Sequence, residues 1–330
     1  MAPGTFSLRC FRSLWGAPTA RELAHRVGGS AASSVAYADS LLSHIQAQGF
    51  DGIEASLADL QPLGGVAHVQ HLLAARGMGL VVGVYSGWVD YEDAALGEQF
   101  EGVTSHLDRL RQQIEQALDG PQRPTLLNVH AGSDHWRWDE QLEFLARALE
   151  MQRELGCEDL LAFETHRGRL FYSPWPTLEL LEAFPSLRLT LDFSHWAVVT
   201  ERMLDTAQDD AWLLERVVPH VAHVHGRVGT AQSSQLPRPY DEETSRVETQ
   251  RFQRLWDAIW KHQRSEFMRV QGLEQDAAGP RGFATFTPEY GPIPYAPRHN
   301  DDPQREAYDV DVLCADKAAE QRAAFNKLFS

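Results

Sequence analysis

Apolar residues along the chain fall into two alternating rhythms. Short, nearly continuous apolar runs recur at Phe6–Phe11, Gly52–Glu54, Gly79–Tyr85, Thr125–His130, Leu160–Glu164, Leu187–Asp192, Val221–His225 and Phe283–Glu289. Their length and content predict buried strands. Between them the apolar spacing changes to three and four. Leu41, Leu42 and Ile45 precede a stop at Gly49, and Val103, Leu107, Leu110, Ile114 and Leu118 lie along one helical face. Leu142, Leu145 and Leu149 form another such face, with Asp139 near its start and Gly156 beyond its end. Further helices are expected over Thr177–Ala183, over Glu201–Val217, around Phe252, Leu255 and Ile259, and through most of Glu306–Leu328.

About eight strand–helix units with strands apolar on both faces imply parallel pairing under a cover of helices. The 330 residues suit a (β/α)8 TIM barrel with insertions. The alternative, a doubly wound open sheet, would place a G-x-G-x-x-G turn after the first strand; Gly28-Gly29-Ser30 lacks that context. The expected organisation is one barrel domain over 1–330, with a long loop at about 226–245 and a C-terminal helical segment at about 301–330.

Composition narrows the partners. Hydrophobic residues make up 43% and charged ones 23%, ordinary for a globular protein, and no apolar run is long enough to span a bilayer. The formal charge of −16 disfavours nucleic acid, whose phosphates an acidic surface repels. Cys10, Cys157 and Cys314 are odd in number and far apart, which points to reduced thiols and a cytoplasmic setting. The arginines Arg9, Arg12, Arg21 and Arg26 keep a transit peptide open. A homo-oligomer is compatible with all of this.

The polar residues are placed where such a barrel does chemistry, at the C-terminal ends of its strands. Glu54, His130, Glu164, Asp192, His225 and Glu289 end strands, and Trp15, Trp88, His135, Trp136, His166, Arg167, His195, Trp196 and Arg227 follow closely. Singly, each has an ordinary structural use: Asp192 can cap the following helix, Arg227 can form a surface salt bridge, and indoles can close a barrel core. Together, so many buried ionisable groups call for a cation or tight pairing. Two glutamates, an aspartate and a histidine from four successive strands suit Mn²⁺ foremost, with Co²⁺, Mg²⁺ or Zn²⁺ as alternatives. Trp15, Trp88, Trp136 and Trp196 could stack on the apolar face of a sugar.

The segments Phe-Glu164-Thr-His-Arg-Gly, Leu-Asp192-Phe-Ser-His195-Trp, His223-Val-His225-Gly-Arg227 and Thr-Pro-Glu289-Tyr-Gly resemble, in this order, the xylose isomerase-like sugar isomerase and epimerase superfamily. The resemblance implies one divalent ion held by Glu164, Asp192, His225 and Glu289, with His225 and not His223 facing it, and His195 as a substrate-binding residue. It implies an isomerase or epimerase acting on a small carbohydrate-like substrate. Glu164 and Glu289 would remove and return a proton next to a carbonyl, through an enediolate that the ion stabilises. His195, Arg227, His130, His166, Glu54, Trp88, Trp136 and Trp196 would contact the substrate, and no organic cofactor is expected.

The sequence also departs from that pattern. Ketose epimerases of the superfamily carry an arginine further beyond the strand-seven histidine, whereas Arg227 follows His225 by two residues, and His166-Arg167 after Glu164 is unlike them. A dehydratase acting on a keto-cyclitol or hydroxy-ketone is therefore the nearest competing reading, and a non-catalytic sugar-binding barrel a second. Asn128-Val-His130-Ala-Gly-Ser resembles the fourth strand of apurinic endonucleases, but 227–239 lacks the Asp-x-His pair they require.

Overall fold

A computed structural model describes residues 6–26, 34–87, 100–236, 246–271 and 281–330. Eight parallel strands close into a barrel in sequence order: β1 (Ser7–Ser13), β2 (Gly52–Ser56), β3 (Gly79–Tyr85), β4 (Leu126–His130), β5 (Leu161–Glu164), β6 (Leu189–Asp192), β7 (Val221–His225) and β8 (Phe283–Thr287). β8 returns to pair with β1, so the fold is the (β/α)8 barrel expected, and the open-sheet alternative falls.

Described helices cover the outside: α1 (Ala20–Arg26), α2 (Ser34–Ala47), α3 (Leu57–Leu60), α4 (Val66–Ala75), α5 (Val103–Leu118), α6 (Trp138–Glu154), α7 (Pro174–Ala183), α8 (Phe193–Thr200), α9 (Ala207–Trp212), α10 (Arg246–Gln271) and α11 (Val310–Leu328). Their inward faces carry the expected residues: Leu107, Leu110 and Ile114 on α5 and Phe252, Leu255 and Ile259 on α10 are buried in one continuous core.

Two expectations need correction. Instead of a helix over Glu201–Val217, α8 begins at once after Asp192, whose side chain accepts the Ser194 N–H, and stops at Glu201 in the left-handed region (φ 51°). The helical pattern resumes only at α9. The C-terminal segment is not helical from 301 either: β10 (Asp302–Glu306) pairs antiparallel with β9 (Arg298–His299) before α11 starts. That stretch is polar and exposed, with no apolar face to hold a helix against the barrel. Of the long loop at 226–245, residues 237–245 lie outside the described residues.

Inside the barrel the side chains form levels. The lowest is a dry plug of Phe11, Val81, Leu126 and Ala162. Phe11 reaches across because two neighbours are glycine; a Cβ at Gly52 would lie 2.3 Å from the Gly79 carbonyl and 2.6 Å from the Phe11 ring. Above the plug the interior turns polar. A bulge in β7 governs this change, because Leu189 pairs with Val221 but Thr190 pairs with His223. The extra residue, Ala222, restores the phase that points His223 and His225 inward beside Thr190 and Asp192.

Gly52→Ala is expected to lower stability by about 1–3 kcal/mol by overpacking the plug, read as a reduced denaturant midpoint with unchanged slope. An unchanged midpoint would mean that Phe11 is not the fixed element at this level.

Candidate metal centre

Four strand ends bring Glu164, Asp192, His225 and Glu289 to one place, each offering an oxygen or nitrogen within 4.8 Å of the others. Asp192 and His225 are paired in register across β6 and β7, and Glu164 pairs with Thr190, two residues below Asp192. Asp192 combines two roles: Oδ1 accepts the Ser194 N–H at 2.9 Å and hydroxyl at 2.6 Å, capping α8, while Oδ2 is aimed at Arg227.

His225 has its orientation set from below. Its Nε2 donates to Glu54 Oε1 at 2.9 Å, so in the neutral ring Nδ1 carries the lone pair. Nδ1 lies 3.1 Å from Glu289 Oε2 and 3.6 Å from Glu164 Oε1. Glu54 Oε2 is 3.2 Å from His223 Nε2, and His223 Nδ1 is 2.8 Å from Thr285 Oγ1. Asn128 Nδ2 donates to both Glu54 Oε1 (3.2 Å) and Glu164 Oε2 (2.7 Å), holding two carboxylates apart. Glu164 Oε2 accepts a further hydrogen bond from His130 Nε2 at 2.8 Å.

The upper side is closed by Arg227. It is 2% exposed, so it is not the surface salt bridge considered above. Its Nη2 is 2.7 Å from Asp192 Oδ2 and 2.8 Å from His195 Nε2, and its Nε donates to Ser194 Oγ at 3.0 Å. A guanidinium only donates, so His195 Nε2 accepts and its proton sits on Nδ1. The Tyr295 ring lies 5.1 Å from the Arg227 guanidinium carbon, and Trp15 meets Tyr295 edge-on at 4.9 Å.

Burial would raise the Glu164 carboxyl, but His130 and His225 hold it well below the usual range. Glu54 is likewise lowered against its burial by His225 and His223. Asp192 is pushed up to about 6 by burial, which Arg227 opposes and Glu289 reinforces. His225 moves far above the ordinary histidine value: burial opposes the charged ring, yet Glu289, Glu54 and Glu164 prevail. Burial holds His166 and His195 well below it, helped at His195 by His166 and Arg227.

The donor set passes a test for a cation. Glu164 Oε1, His225 Nδ1 and Glu289 Oε2 are buried atoms with no formed hydrogen bond, and all three belong to one four-residue group. Leaving such atoms unpaired is costly, and an ion between them would satisfy all three at once.

No protein-family model matches the chain, and no curated protein matches it. Among solved structures it is similar to a D-allulose 3-epimerase from Methylomonas sp. in complex with D-allulose, at 16% identity over 97% of this chain and 98% of that one, with a TM-score of 0.49. A protein of Sinorhizobium meliloti 1021 is similar at 12% identity over 84% and 91%, TM-score 0.44. The GH5_18 protein of Streptomyces cattleya, in complex with GlcNAc, is similar at 12% identity over 99% and 81%, TM-score 0.41. All are distant in sequence; what the centre can do is carried by its own side chains.

Several expected substrate contacts lie elsewhere. Glu54 sits beneath His225, committed to it and to His223 and Asn128. Trp196 is fully buried, its Nε1 donating to the Phe171 carbonyl at 3.0 Å. Trp136 is 7% exposed and packs on His106 and Phe144. Neither indole presents a face to a ligand: α5 and α6 cover Trp136 through His106 and Phe144, and Trp196, itself part of α8, turns its ring toward Trp212 of α9. Trp88 lies outside the described residues. His130 reaches Glu164, and its ring stacks on Tyr85 at 4.4 Å. His166 and His195 adjoin each other at 3.9 Å. A cavity of about 690 Å³ lies away from this group, between the loop after β1 and the C-terminal segment, lined by Pro18, Glu22, His299, Arg305 and Tyr308.

Glu54→Gln replaces an acceptor-only group by one that also donates, so His225 Nε2 is no longer compelled to keep the proton. Affinity for a divalent ion is expected to fall about 10–100-fold in calorimetric titration, with the far-ultraviolet dichroism unchanged. Unaltered affinity would show that Glu54 does not set the ring.

Proposed function

We propose that the chain is a divalent-metal-dependent isomerase or epimerase of a small polyhydroxy-carbonyl compound, with Glu164, Asp192, His225 and Glu289 holding the ion. The observation that carries this reading is the set of unpartnered atoms, Glu164 Oε1, His225 Nδ1 and Glu289 Oε2, converging in one buried group. When bound, a divalent ion supplies Lewis acidity to a carbonyl and its neighbouring hydroxyl. Mn²⁺ suits a set of three carboxylates and one imidazole, with Co²⁺, Mg²⁺ and Zn²⁺ as alternatives.

The two glutamates differ in a way that suits proton transfer. Glu164 is fully buried and pinned through Oε2 by Asn128 and His130, whereas the Glu289 side chain is 16% exposed and Oε2 has no formed hydrogen bond. Glu164 is thus fixed in ionised form against its burial, and Glu289 is free to approach a carbon acid from the other side. One removes the proton beside the carbonyl and the other returns it. Return to the same carbon inverts it; return to the neighbour moves the carbonyl. His195 Nδ1–H is a buried donor without a partner, and with the Arg227 guanidinium it would bind the oxygen on which charge develops. The aromatic pair Trp15 and Tyr295 would line the apolar side of the substrate.

Two experiments test this reading. In D₂O, wild-type protein with added Mn²⁺ is expected to exchange the proton beside the carbonyl of a ketose or aldose. Glu289→Gln is expected to lose at least about 100-fold of that rate, with a bound ion still present. A product lighter by one water would identify a dehydratase instead, and no exchange with any polyol carbonyl would leave a sugar-binding barrel.

The second concerns protons. Asp192 is pushed up to about 6 by burial, and the His225 ring is drawn toward its charged form by the carboxylates around it; both must be deprotonated to hold an ion. Affinity for Mn²⁺ is therefore expected to fall as pH drops through 6, and binding at pH 7 to release protons, read as a dependence of the titration enthalpy on buffer ionisation enthalpy. Uptake of protons, or none exchanged, would count against His225 as a ligand.

A further inference from the structure

The opposite end of the barrel, where the strands begin, carries a cluster of arginines. Arg123, Arg188 and Arg281 stand shortly before β4, β6 and β8, and Asp159 shortly before β5. Arg188 and Arg281 both donate to the Asp159 carbonyl, Arg281 from Nη2 at 2.7 Å. Arg123 Nη2 donates to Asp159 Oδ1 at 2.6 Å and to the Gly156 carbonyl at 2.7 Å. At the same end Arg9, two residues before Phe11 of the plug, lies over the Phe283 ring at 4.1 Å.

The charges here are not balanced. One carbonyl oxygen does not neutralise two guanidinium groups, and the Asp159 carboxylate is taken by Arg123. Arg188 and Arg281 pair with that carbonyl and, among the described residues, with no carboxylate. Even with exposed Glu158 counted beside Asp159, the arginines leave positive charge in excess. Arg281 Nη1 is a buried donor with no hydrogen bond formed, a costly arrangement for a charged group. Burial, with Arg188 and Arg123 nearby, pushes Arg281 down to about 10 against the pull of Asp159.

We propose that Arg123, Arg188 and Arg281 bind a phosphate-type dianion, free or as a phosphomonoester, at the N-terminal mouth of the barrel. A tetrahedral oxyanion offers an oxygen to each of three guanidinium groups, whereas a carboxylate has only two, and the planar arginine fork matches phosphate oxygens. The ligand is small for an electrostatic reason. The chain as a whole carries a formal charge of −16, so a large polyanion meets repulsion from the rest of the surface. A single phosphate needs only the mouth.

The plug of Phe11, Val81, Leu126 and Ala162 separates this end from Glu164, Asp192, His225 and Glu289. The N-terminal face of such barrels serves stability and not chemistry. A dianion bound here ties together the starts of β4, β6 and β8 and stabilises the fold by mass action; it takes no part in the reaction.

Calorimetric titration of the full chain with inorganic phosphate, at ionic strength held constant with chloride, tests this. One phosphate per chain is expected for wild type, with binding about 10–100-fold weaker in Arg281→Gln. Arg281→Lys keeps the charge without the fork and is expected to fall between the two. Arg123 is exposed, so Arg123→Gln, expected to weaken binding in the same direction, decides the matter if Arg281→Gln fails to fold. Saturating phosphate is expected to raise the Tm of wild type and not that of Arg281→Gln. A phosphomonoester of a small polyol, titrated in parallel, separates the two sources: tighter binding than phosphate supports an esterified ligand, and equal or weaker binding supports free phosphate. Affinity that survives both Arg281→Gln and Arg123→Gln would overturn the proposal, and its fall in Arg227→Gln would place the anion at the strand tips instead. No bound phosphate, or a rise in Tm that chloride reproduces, would overturn it as well.

Discussion

The hydrogen bond from His225 Nε2 to Glu54 is the constraint on which the centre turns. Had the ring donated from Nδ1 instead, a proton would stand where the glutamate oxygens converge, and the group would close on itself as a charged pair. Because Glu54 accepts at Nε2 from beneath, the opposite nitrogen faces Glu164 and Glu289. Glu54 is itself held, by His223 and Asn128, and Asn128 continues to Glu164. A single belt of hydrogen-bonded polar side chains thus orients His225 of β7 and Glu164 of β5 together. The carboxylates of Glu289, Glu54 and Glu164 drive the ring toward its charged form against its burial, and a cation held between them would compete with that proton.

That belt depends on how the barrel is filled below it. The Phe11 plug excludes water from the lower level and leaves the polar side chains no partners except one another. The β7 bulge then decides which side chains form the polar level. Were β7 paired regularly with Ala222 kept in the ladder, Ala222 would stand opposite Thr190 and Val224 opposite Asp192. The chemistry at the top of the barrel is therefore conditional on an irregularity in one strand and on two glycines near its base.

Much of this was legible in the sequence, for identifiable reasons. The strands are marked by apolar runs that end in Glu54, His130, Glu164, Asp192 and His225, and so many ionisable groups at the ends of strands buried on both faces need one another or a cation as partners. Their convergence followed from the barrel. What the sequence did not display was depth. Glu54 and Glu164 both stand near the end of a strand, yet one lies under His225 and the other beside it, because stagger between strands and not position within a strand sets the level. The indoles differ from expectation for a related reason: Trp136 and Trp196 lie after strand ends in sequence, but Trp136 packs against His106 and Phe144 of α5 and α6, and Trp196 lies within α8 against Phe171 and Trp212. The resemblance assigns His223 no part beyond not facing the ion; its contacts with Glu54, Thr285 and Thr287 make it part of the support beneath His225.

The short interval between His225 and Arg227 changes what Asp192 can contribute. An arginine two residues after an inward-facing histidine also faces inward, and here its guanidinium meets Asp192 Oδ2 at 2.7 Å in a fully buried setting. A carboxylate that shares its charge with a guanidinium donates less to a cation than one that does not. An ion held in this set would keep more of its positive charge available to a substrate oxygen than four unshared ligands would leave it. The same guanidinium fixes His195 with its proton outward, so the group that weakens one ligand also supplies a donor for the oxygen that ligand's ion would polarise. The departure from the epimerase pattern at Arg227 would therefore bear on how electrophilic a bound ion is and how an oxyanion is held, while Glu164, Asp192, His225 and Glu289 keep their places at the strand ends.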